Sequence, residues 1–120
     1  KDAFAVNGVS AIQYFSKNQL LVVERSYSTG IASCTIKIFL CDLKKATNIK
    51  NHDSLKNQNF EIASKKLILN MDDLGLFIDN IEGLTFGPKL ANGNRSLLFV
   101  SDNNFSNKQK TQFFLFELVQ

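Results

Sequence analysis

Oxygen-bearing side chains gather at the ends of two short apolar runs in this sequence. The first run extends from Ile81 to Phe86 and the second from Leu97 to Val100. The side chains are Asp79, Asn80 and Glu82 at the first run and Ser101, Asp102, Asn103 and Asn104 at the end of the second. A hairpin between the runs would bring these groups toward one another. Carboxylate and amide oxygens are ligands for hard divalent cations, and such cations assist the hydrolysis of phosphate esters.

The same residue types also have a structural interpretation. Asp and Asn at strand ends often cap turns by bonding backbone amides, and Glu–Arg pairs join adjacent strands. Glu82 has the strand parity of Leu84 and Phe86, so it is a carboxylate at the edge of an apolar face and needs a partner such as Arg25. Three glycines of this stretch predict close packing or a positive φ: Gly83, Gly87 and Gly93. The sequence alone leaves both roles open.

Seven short segments, separated by polar turns, have the composition of β-strands. They are residues 9–15, 20–26, 34–43, 65–70, 81–86, 96–102 and 111–119. Residues 34–43 are apolar on both faces, which favours a strand between two layers. Loops are predicted at 27–33 and, as a long polar excursion, at 44–64, with a turn or single helical turn at 71–75. The pattern predicts an all-β fold of antiparallel strands, either a sandwich or part of a propeller.

Composition and charge exclude several function classes. The 120 residues are 44% hydrophobic with one Pro, which predicts a folded domain rather than disorder. The 14 basic and 11 acidic residues give a net charge of +3, and the lysines are scattered along the chain. Nucleic-acid binding normally needs a clustered basic surface, so we expect no nucleic-acid partner. We also expect no membrane span, because no apolar run approaches about 20 residues.

Cysteine and histidine usage limits the chemistry further. On a strand, Cys34 and Cys41 would lie roughly 23 Å apart, too far for a disulfide, so we expect two buried or half-buried thiols. His52 is the only histidine and lies in the polar loop. A Ser-His-Asp esterase mechanism and a His/Cys metal site therefore have little support.

Several longer segments resemble one known family. DNIEGLTFGP at 79–88, LANGNRSLLFVSDNNFS at 90–106 and QKTQFFLFEL at 109–118 look like the signature of the phytase-like family, also labelled esterase-like activity of phytase. Upstream, LLVVERSYS at 20–28, KIFLCDLKKATNI at 37–49 and KKLILNMDDLG at 65–75 match the order and approximate spacing of that family's C-terminal part. The resemblance covers nearly the whole chain.

The resemblance implies an architecture and a location. We expect about two blades of a β-propeller, with four strands in residues 9–70 and three strands of the next blade in residues 79–120. The chain is then either a single domain or the C-terminal part of a longer phytase-like propeller. Exposed blade faces and edges would pair with the remainder of the parent chain or with another copy. Family members are usually exported, which implies a periplasmic or extracellular protein.

The resemblance also implies a function, a metal-dependent phosphoesterase that acts on phytate-like or other phosphorylated small molecules. Calcium or another divalent cation would then be the cofactor. On this reading Glu82 and Arg25 are catalytic, because a guanidinium binds phosphate oxygens bidentately. The expected substrate-binding residues are Arg25, Asn80 and Asn104, and the expected metal ligands are Glu24, Asp79, Glu82 and Asp102. The alternative is a non-catalytic propeller module that binds a ligand or a partner protein, since a fold does not carry an activity by itself.

Overall fold

The computed structural model describes residues 5–29 and 34–119. It contains seven strands, Ala5–Ser16 (β1), Gln19–Ser28 (β2), Thr35–Asp42 (β3), Ser64–Asn70 (β4), Ile81–Phe86 (β5), Arg95–Ser101 (β6) and Gln112–Leu118 (β7). One 3-10 turn, Met71–Leu74, follows β4 and ends at Gly75 in the left-handed conformation. Each predicted strand is therefore confirmed, as is the helical turn closed by Gly. Part of the loop predicted at 27–33 lies outside the described residues.

The strands form two antiparallel sheets in sequence order. The first sheet has the order β1-β2-β3-β4 and the second has the order β5-β6-β7. Short connections join most neighbours, and Asn18 takes a positive φ of 61° in the β1–β2 turn, a conformation that Asn tolerates better than most residues. Sheets of four and three strands match the prediction of an all-β, antiparallel fold and are compatible with two adjacent propeller blades.

The core lies between the two sheets. Leu21 and Val23 of β2 are 1% and 0% exposed, and both belong to the same buried cluster as Phe99 of the second sheet. The buried cluster consists of Leu21, Val23, Ile36, Ile38, Met71, Ile78, Ile81, Leu97 and Phe99. Phe99 also meets Phe116 edge to face, with 5.5 Å between ring centroids. The period-2 pattern of the strands thus produces one shared core.

The faces of the two sheets that point away from the core also carry apolar side chains. In β1, Ile12 and Tyr14 are 60% and 63% exposed, and in β7, Phe113 and Leu115 are 69% and 55% exposed. The Cα radius of gyration is 16.7 Å, whereas a compact chain of this length has about 14 Å. The two sheets therefore form a flattened unit with apolar surface on both sides. Residues 34–43 were expected between two layers, but within the described residues a second sheet covers only one face of β3, the face of Ile36 and Ile38.

Residues 43–63 contain no helix or strand, as expected for the long polar loop. Its base is closed where the Thr47 amide donates to the Glu61 carbonyl at 2.9 Å and the Glu61 amide donates to Thr47 Oγ1 at 2.8 Å. His52 is exposed within this loop. Within the described residues, no helix is long and apolar enough to cross a membrane.

A β-bulge corrects one expectation about Glu82. Ile81 pairs with Ser101, but Gly83 pairs with Val100, so Glu82 is an extra residue in β5. Ile81 and Leu84 consequently both contribute to the core despite their opposite parity. Glu82 does not continue the apolar face of Leu84 as strict alternation predicted, and the bulge leaves its side chain exposed.

Candidate functional site

Arg25 stands at one end of the core between the sheets. It follows Leu21 and Val23 at intervals of two residues, so it belongs to the face of β2 that turns toward the second sheet. Its neighbours in the first sheet are Gly8 and Ile36. Whereas Leu21 and Val23 are buried, the Arg25 side chain is 37% exposed. The strand alternation therefore presents a guanidinium where the core opens to solvent.

Arg25 contacts the segment that leads into β5. Its Nη1 donates a hydrogen bond to Asn80 Oδ1 and lies 4.0 Å from Glu82 Oε1. Asn80 in turn donates from Nδ2 to Glu82 Oε1 at 2.5 Å. The structure thus brings together three of the residues that the sequence nominated, and it confirms the expected pairing of Glu82 with Arg25. The bulge at Glu82 turns its carboxylate toward this group.

Asp79 is buried and bound by backbone and side-chain donors. It is 6% exposed, and its carboxylate accepts from the amides of Asn80 at 2.8 Å and Lys110 at 2.7 Å and from Gln109 Nε2 at 3.5 Å. The Asp79 amide donates to Gln112 Oε1 at 2.8 Å. These bonds hold the segment before β5 against the β6–β7 loop, and they occupy both carboxylate oxygens.

The β6–β7 loop contains the other nominated oxygen ligands. Asn103 Oδ1 accepts from the Phe105 amide at 3.1 Å, which caps a turn. Asn104 Nδ2 donates to the Asp102 carbonyl at 3.4 Å and to Gln109 Oε1 at 3.3 Å. Asn104 and Phe105 both have positive φ, 47° and 56°. The amides therefore serve the loop, while the exposed Asp102 carboxylate makes no hydrogen bond among the described residues.

A pocket of about 400 Å³ opens where Arg25, the segment before β5 and this loop meet. It is lined by Val6, Arg25, Tyr27, Cys34, Phe77, Asp79, Asn80, Lys108 and Gln109. Arg25 and Lys108 supply two positive charges, and Asn80 and Gln109 supply amides. Asp79 adds a carboxylate whose oxygens already accept hydrogen bonds, so Arg25 and Lys108 are the groups of the pocket that suit an anion.

Comparison with known proteins supports the resemblance carried by the sequence. The family model described as phytase-like, esterase-like activity of phytase, matches residues 1–105 of the chain. The chain belongs to the phytase-like family. No curated protein and no solved structure matches it. The segment 109–118, which includes β7, lies beyond the matched residues.

The carboxylates expected to bind a metal do not assemble in this phytase-like chain. Within residues 5–29 and 34–119, no three His, Cys, Asp or Glu side chains are grouped so that they could hold an ion. Asp79 has both oxygens occupied, and Glu82 is engaged by Asn80 and Arg25. Arg25 and Lys108 also place two positive charges beside these carboxylates. The carboxylates of the described residues therefore do not form a calcium site in their present arrangement.

Glu24 lies apart from the pocket, because neighbouring strand residues point to opposite faces. It accepts hydrogen bonds from Lys65 Nζ and from Asn7 Nδ2, the latter at 3.3 Å. The hydrogen bond from Lys65 is the main reason that the pKa of Glu24 is lowered below its ordinary value. Lys65 also lies 4.2 Å from the centre of the Phe39 ring. Glu24 thus belongs to a charged network on the other face of the first sheet.

Six of the residues that line the pocket were not nominated from the sequence as site residues: Val6, Tyr27, Cys34, Phe77, Lys108 and Gln109. Lys108 counted as one of many scattered lysines, and Phe77 as one of 11 phenylalanines. Phe77 and Lys108 converge because hydrogen bonds of Asp79 and Gln112 join the segment before β5 to the β6–β7 loop and the start of β7. Lys108 and Lys110 follow the oxygen-rich cluster closely in the sequence. This proximity was the signal that could have identified them, since both lie in the loop that closes the site.

The two cysteine thiols pack in the fold and are not activated as nucleophiles. Cys34 and Cys41 are not bonded to each other, as expected from their separation. Cys34 lines the pocket, where burial raises its pKa, with an opposing influence from Arg25 and a further rise from Asp79. Burial likewise raises the pKa of Cys41. Both are therefore neutral thiols at pH 7.

A second cavity of about 410 Å³ lies between the sheets at the opposite side of the core. Its walls include Phe15, Leu40, Ile68 and Leu118, and Glu117 is its one charged side chain among the described residues. Hydrogen bonds from Asn94 and Asn92 hold the pKa of Glu117 below its ordinary value. An apolar cleft beside a carboxylate does not suit a phosphate, so the Arg25 pocket is the better candidate.

Proposed function

We propose that this phytase-like chain binds the phosphate group of a small phosphorylated molecule in the Arg25 pocket, as part of a phosphoesterase. The observation that carries the proposal is the meeting of two cationic side chains, Arg25 and Lys108, around one opening. Phosphate is recognised by such charge-assisted donors, and a guanidinium offers two parallel N–H groups to its oxygens.

The Arg25 side chain is oriented for this role before a ligand arrives. Asn80 accepts from Nη1, and Glu82 lies on the same side of the guanidinium. Both contacts involve Nη1, and Nε and Nη2 make no hydrogen bond among the described residues, so they can bind an anion. Because these contacts hold the guanidinium group in place, less side-chain entropy is lost when a ligand binds. Glu82 and Asn80 therefore act as positioning residues for Arg25.

The test is binding of inorganic phosphate to the 120-residue chain, measured by isothermal titration calorimetry. Arg25→Ala and Lys108→Ala should each lower the affinity about 10- to 100-fold, because hydrogen bonds to charged groups contribute about 1.5–3 kcal/mol. Lys66→Ala is the matched control, since Lys66 is exposed on β4 and does not line the pocket. Equal affinity in all variants would rule out the pocket as the phosphate site.

A non-catalytic binding module is the second candidate, and the state of the carboxylates favours it. Asp79 is buried and accepts three hydrogen bonds, and Glu82 is paired, so neither is a ready general base in the described residues. Release of phosphate from phosphomonoesters, measured with and without calcium, separates the two functions. Turnover that is lost in Glu82→Gln supports the phosphoesterase, and binding without turnover supports the module.

We also propose that the exposed apolar faces are interaction surfaces and that the protein is exported. Strand β7 is an edge of the three-stranded sheet and carries exposed Phe113 and Leu115. Edges and apolar faces of this kind pair with further strands, supplied by other blades of the same polypeptide or by a second copy. Light scattering of the isolated chain tests self-association, and fractionation of producing cells tests export.

A further inference from the structure

The Arg25 pocket has an apolar wall as well as a charged one. Tyr27 and Phe77 line it beside Val6 and Cys34. Both aromatic side chains keep a large free surface, 41% for Tyr27 and 45% for Phe77. They come from different elements, since Tyr27 belongs to β2 and Phe77 to the segment before β5. Exposed aromatic surface on two sides of an opening is typical of sites for ligands with an apolar part.

The charge of the pocket suits one phosphate group. Arg25 and Lys108 are its cations, while Asp79 contributes a carboxylate to the wall and Glu82 lies 4.0 Å from the guanidinium. A phosphate monoester carries about −1.5 to −2 at pH 7, so a molecule with six such groups would bring about −9 to −12. The two cations can offset at most one phosphate group, and the two carboxylates beside them oppose any larger negative charge.

We infer that the ligand is a phosphate monoester with an aromatic or apolar organic group, rather than a polyphosphorylated sugar alcohol such as phytate. The phosphate meets Arg25 and Lys108, and the organic group packs against Phe77 and Tyr27, with ring faces offset or edge to face. This inference rests on the proposed phosphate-binding function and narrows its ligand class. It predicts selectivity at a site for which the family description suggests phytate.

The experiment compares the affinities of inorganic phosphate, glycerol 2-phosphate, phenyl phosphate and inositol hexakisphosphate for the 120-residue chain by calorimetry at fixed ionic strength. Phenyl phosphate should bind at least about tenfold more tightly than glycerol 2-phosphate, which has the same charged group without a ring. Inositol hexakisphosphate should show no advantage over phenyl phosphate once salt screens its long-range attraction. Tighter binding of the hexakisphosphate in 0.15 M salt, conditions with a Debye length of about 8 Å, overturns the inference.

Variants assign the selectivity to the aromatic wall. Phe77→Ala and Tyr27→Ala should each reduce the preference for phenyl phosphate while leaving the affinity for inorganic phosphate within about twofold. Phe105→Ala is the matched control, because Phe105 is fully exposed and lies outside the pocket lining. The two aromatic residues lie on separate elements, so a folding defect in one variant leaves the other as a test. Circular dichroism checks the fold of each variant.

The outcomes separate this inference from the proposed function. If inorganic phosphate binds and Arg25→Ala abolishes its binding, but phenyl phosphate and glycerol 2-phosphate bind equally, the inference is wrong and the phosphate site stands. Retention of the phenyl preference in both aromatic variants also overturns it. If none of the four compounds binds the folded wild-type chain, the proposed function and the inference fall together.

Discussion

The guanidinium of Arg25 on β2 donates to the side-chain oxygen of Asn80, just before β5, and so joins the two sheets at the edge of their common core. The contact spans 55 residues of sequence. It places Arg25, a partly exposed cation on the core-facing side of β2, beside the oxygen-bearing residues that precede β5. One side-chain pair thereby connects the packing of the sheets with the geometry of the candidate site.

This connection predicts an energetic coupling between Arg25 and Asn80. In a double-mutant cycle of Arg25→Ala and Asn80→Ala, we expect a coupling of about 1 kcal/mol in the free energy of unfolding, within the range of residues in direct contact. Urea denaturation followed by fluorescence of the two tyrosines measures it. Arg25→Ala combined with Asn94→Ala is the control, since Asn94 binds Glu117 elsewhere. Additive effects in both cycles would show that the contact has no energetic role.

Asp79 should matter for stability more than for ligand chemistry. Asp79→Asn replaces one of two acceptor oxygens with an amino group and sets a donor against the amide of Gln109, Asn80 or Lys110. We expect the free energy of unfolding to fall by about 1–3 kcal/mol, the cost of leaving a buried donor unsatisfied. Asp102→Asn, at an exposed position, should change it by less than about 0.5 kcal/mol. Equal effects of the two substitutions would contradict this assignment.

Strand positions were predictable from sequence because period-2 alternation and polar turns are local signals. Each of the seven strands was found within a few residues of its predicted range, with the largest difference at the start of β1. The bulge at Glu82 was not predicted, because it depends on the pairing of β5 with β6 and leaves no clear mark in alternation. It changed the face to which Glu82 belongs.

The candidate site was predictable only in part. Arg25, Asn80 and Glu82 were nominated by residue type and do meet in the structure. Lys108 and Phe77 were not, because their approach depends on how two loops fold against each other through Asp79 and Gln112. The family resemblance implied that Glu24 lies in the same site as Arg25, whereas the strand sends consecutive side chains to opposite faces.

The glycines of the β5–β6 hairpin give a third prediction, since close packing was the expected cause of their presence. A Cβ on Gly87 would lie 2.5 Å from the Oγ of buried Ser96, which itself donates to the Pro88 carbonyl at 2.6 Å. Gly87→Ala should therefore destabilise the fold by about 1–3 kcal/mol, as overpacking does. At Gly8 a Cβ has no atom within 4 Å, so Gly8→Ala should be neutral or slightly stabilising. A chemical denaturation series that finds the two variants alike would refute the packing argument.

The Glu24–Lys65 pair should give stability that depends on pH. The pKa of Glu24 is lowered from its ordinary value of 4.5, first by the Lys65 hydrogen bond. Because the folded pKa lies below the unfolded one, the contribution is present above about pH 4.5 and is lost as the pH falls through the folded pKa. The free energy of unfolding of the wild type should exceed that of Lys65→Met by up to about 1 kcal/mol at pH 7, and this difference should shrink as the pH falls below 4.5. Lys66→Met controls for the loss of charge, and a constant difference across pH would contradict the linkage.

Calcium gives the last prediction, because the expected metal ligands do not assemble in the part of the chain that the structure describes. A calcium site with a dissociation constant of about 10 μM would stabilise the fold by about 2.7 kcal/mol at 1 mM, a rise of roughly 10 °C in Tm for a domain of this size. We expect 1 mM calcium to raise the Tm of the 120-residue chain by less than about 2 °C, with magnesium at the same concentration as the control for ionic strength. A calcium-specific rise that disappears in both Glu82→Gln and Asp102→Asn would restore those two carboxylates as metal ligands. It would also mean that calcium binding rearranges Glu82 away from Arg25, since that pairing and metal coordination compete for the same oxygens.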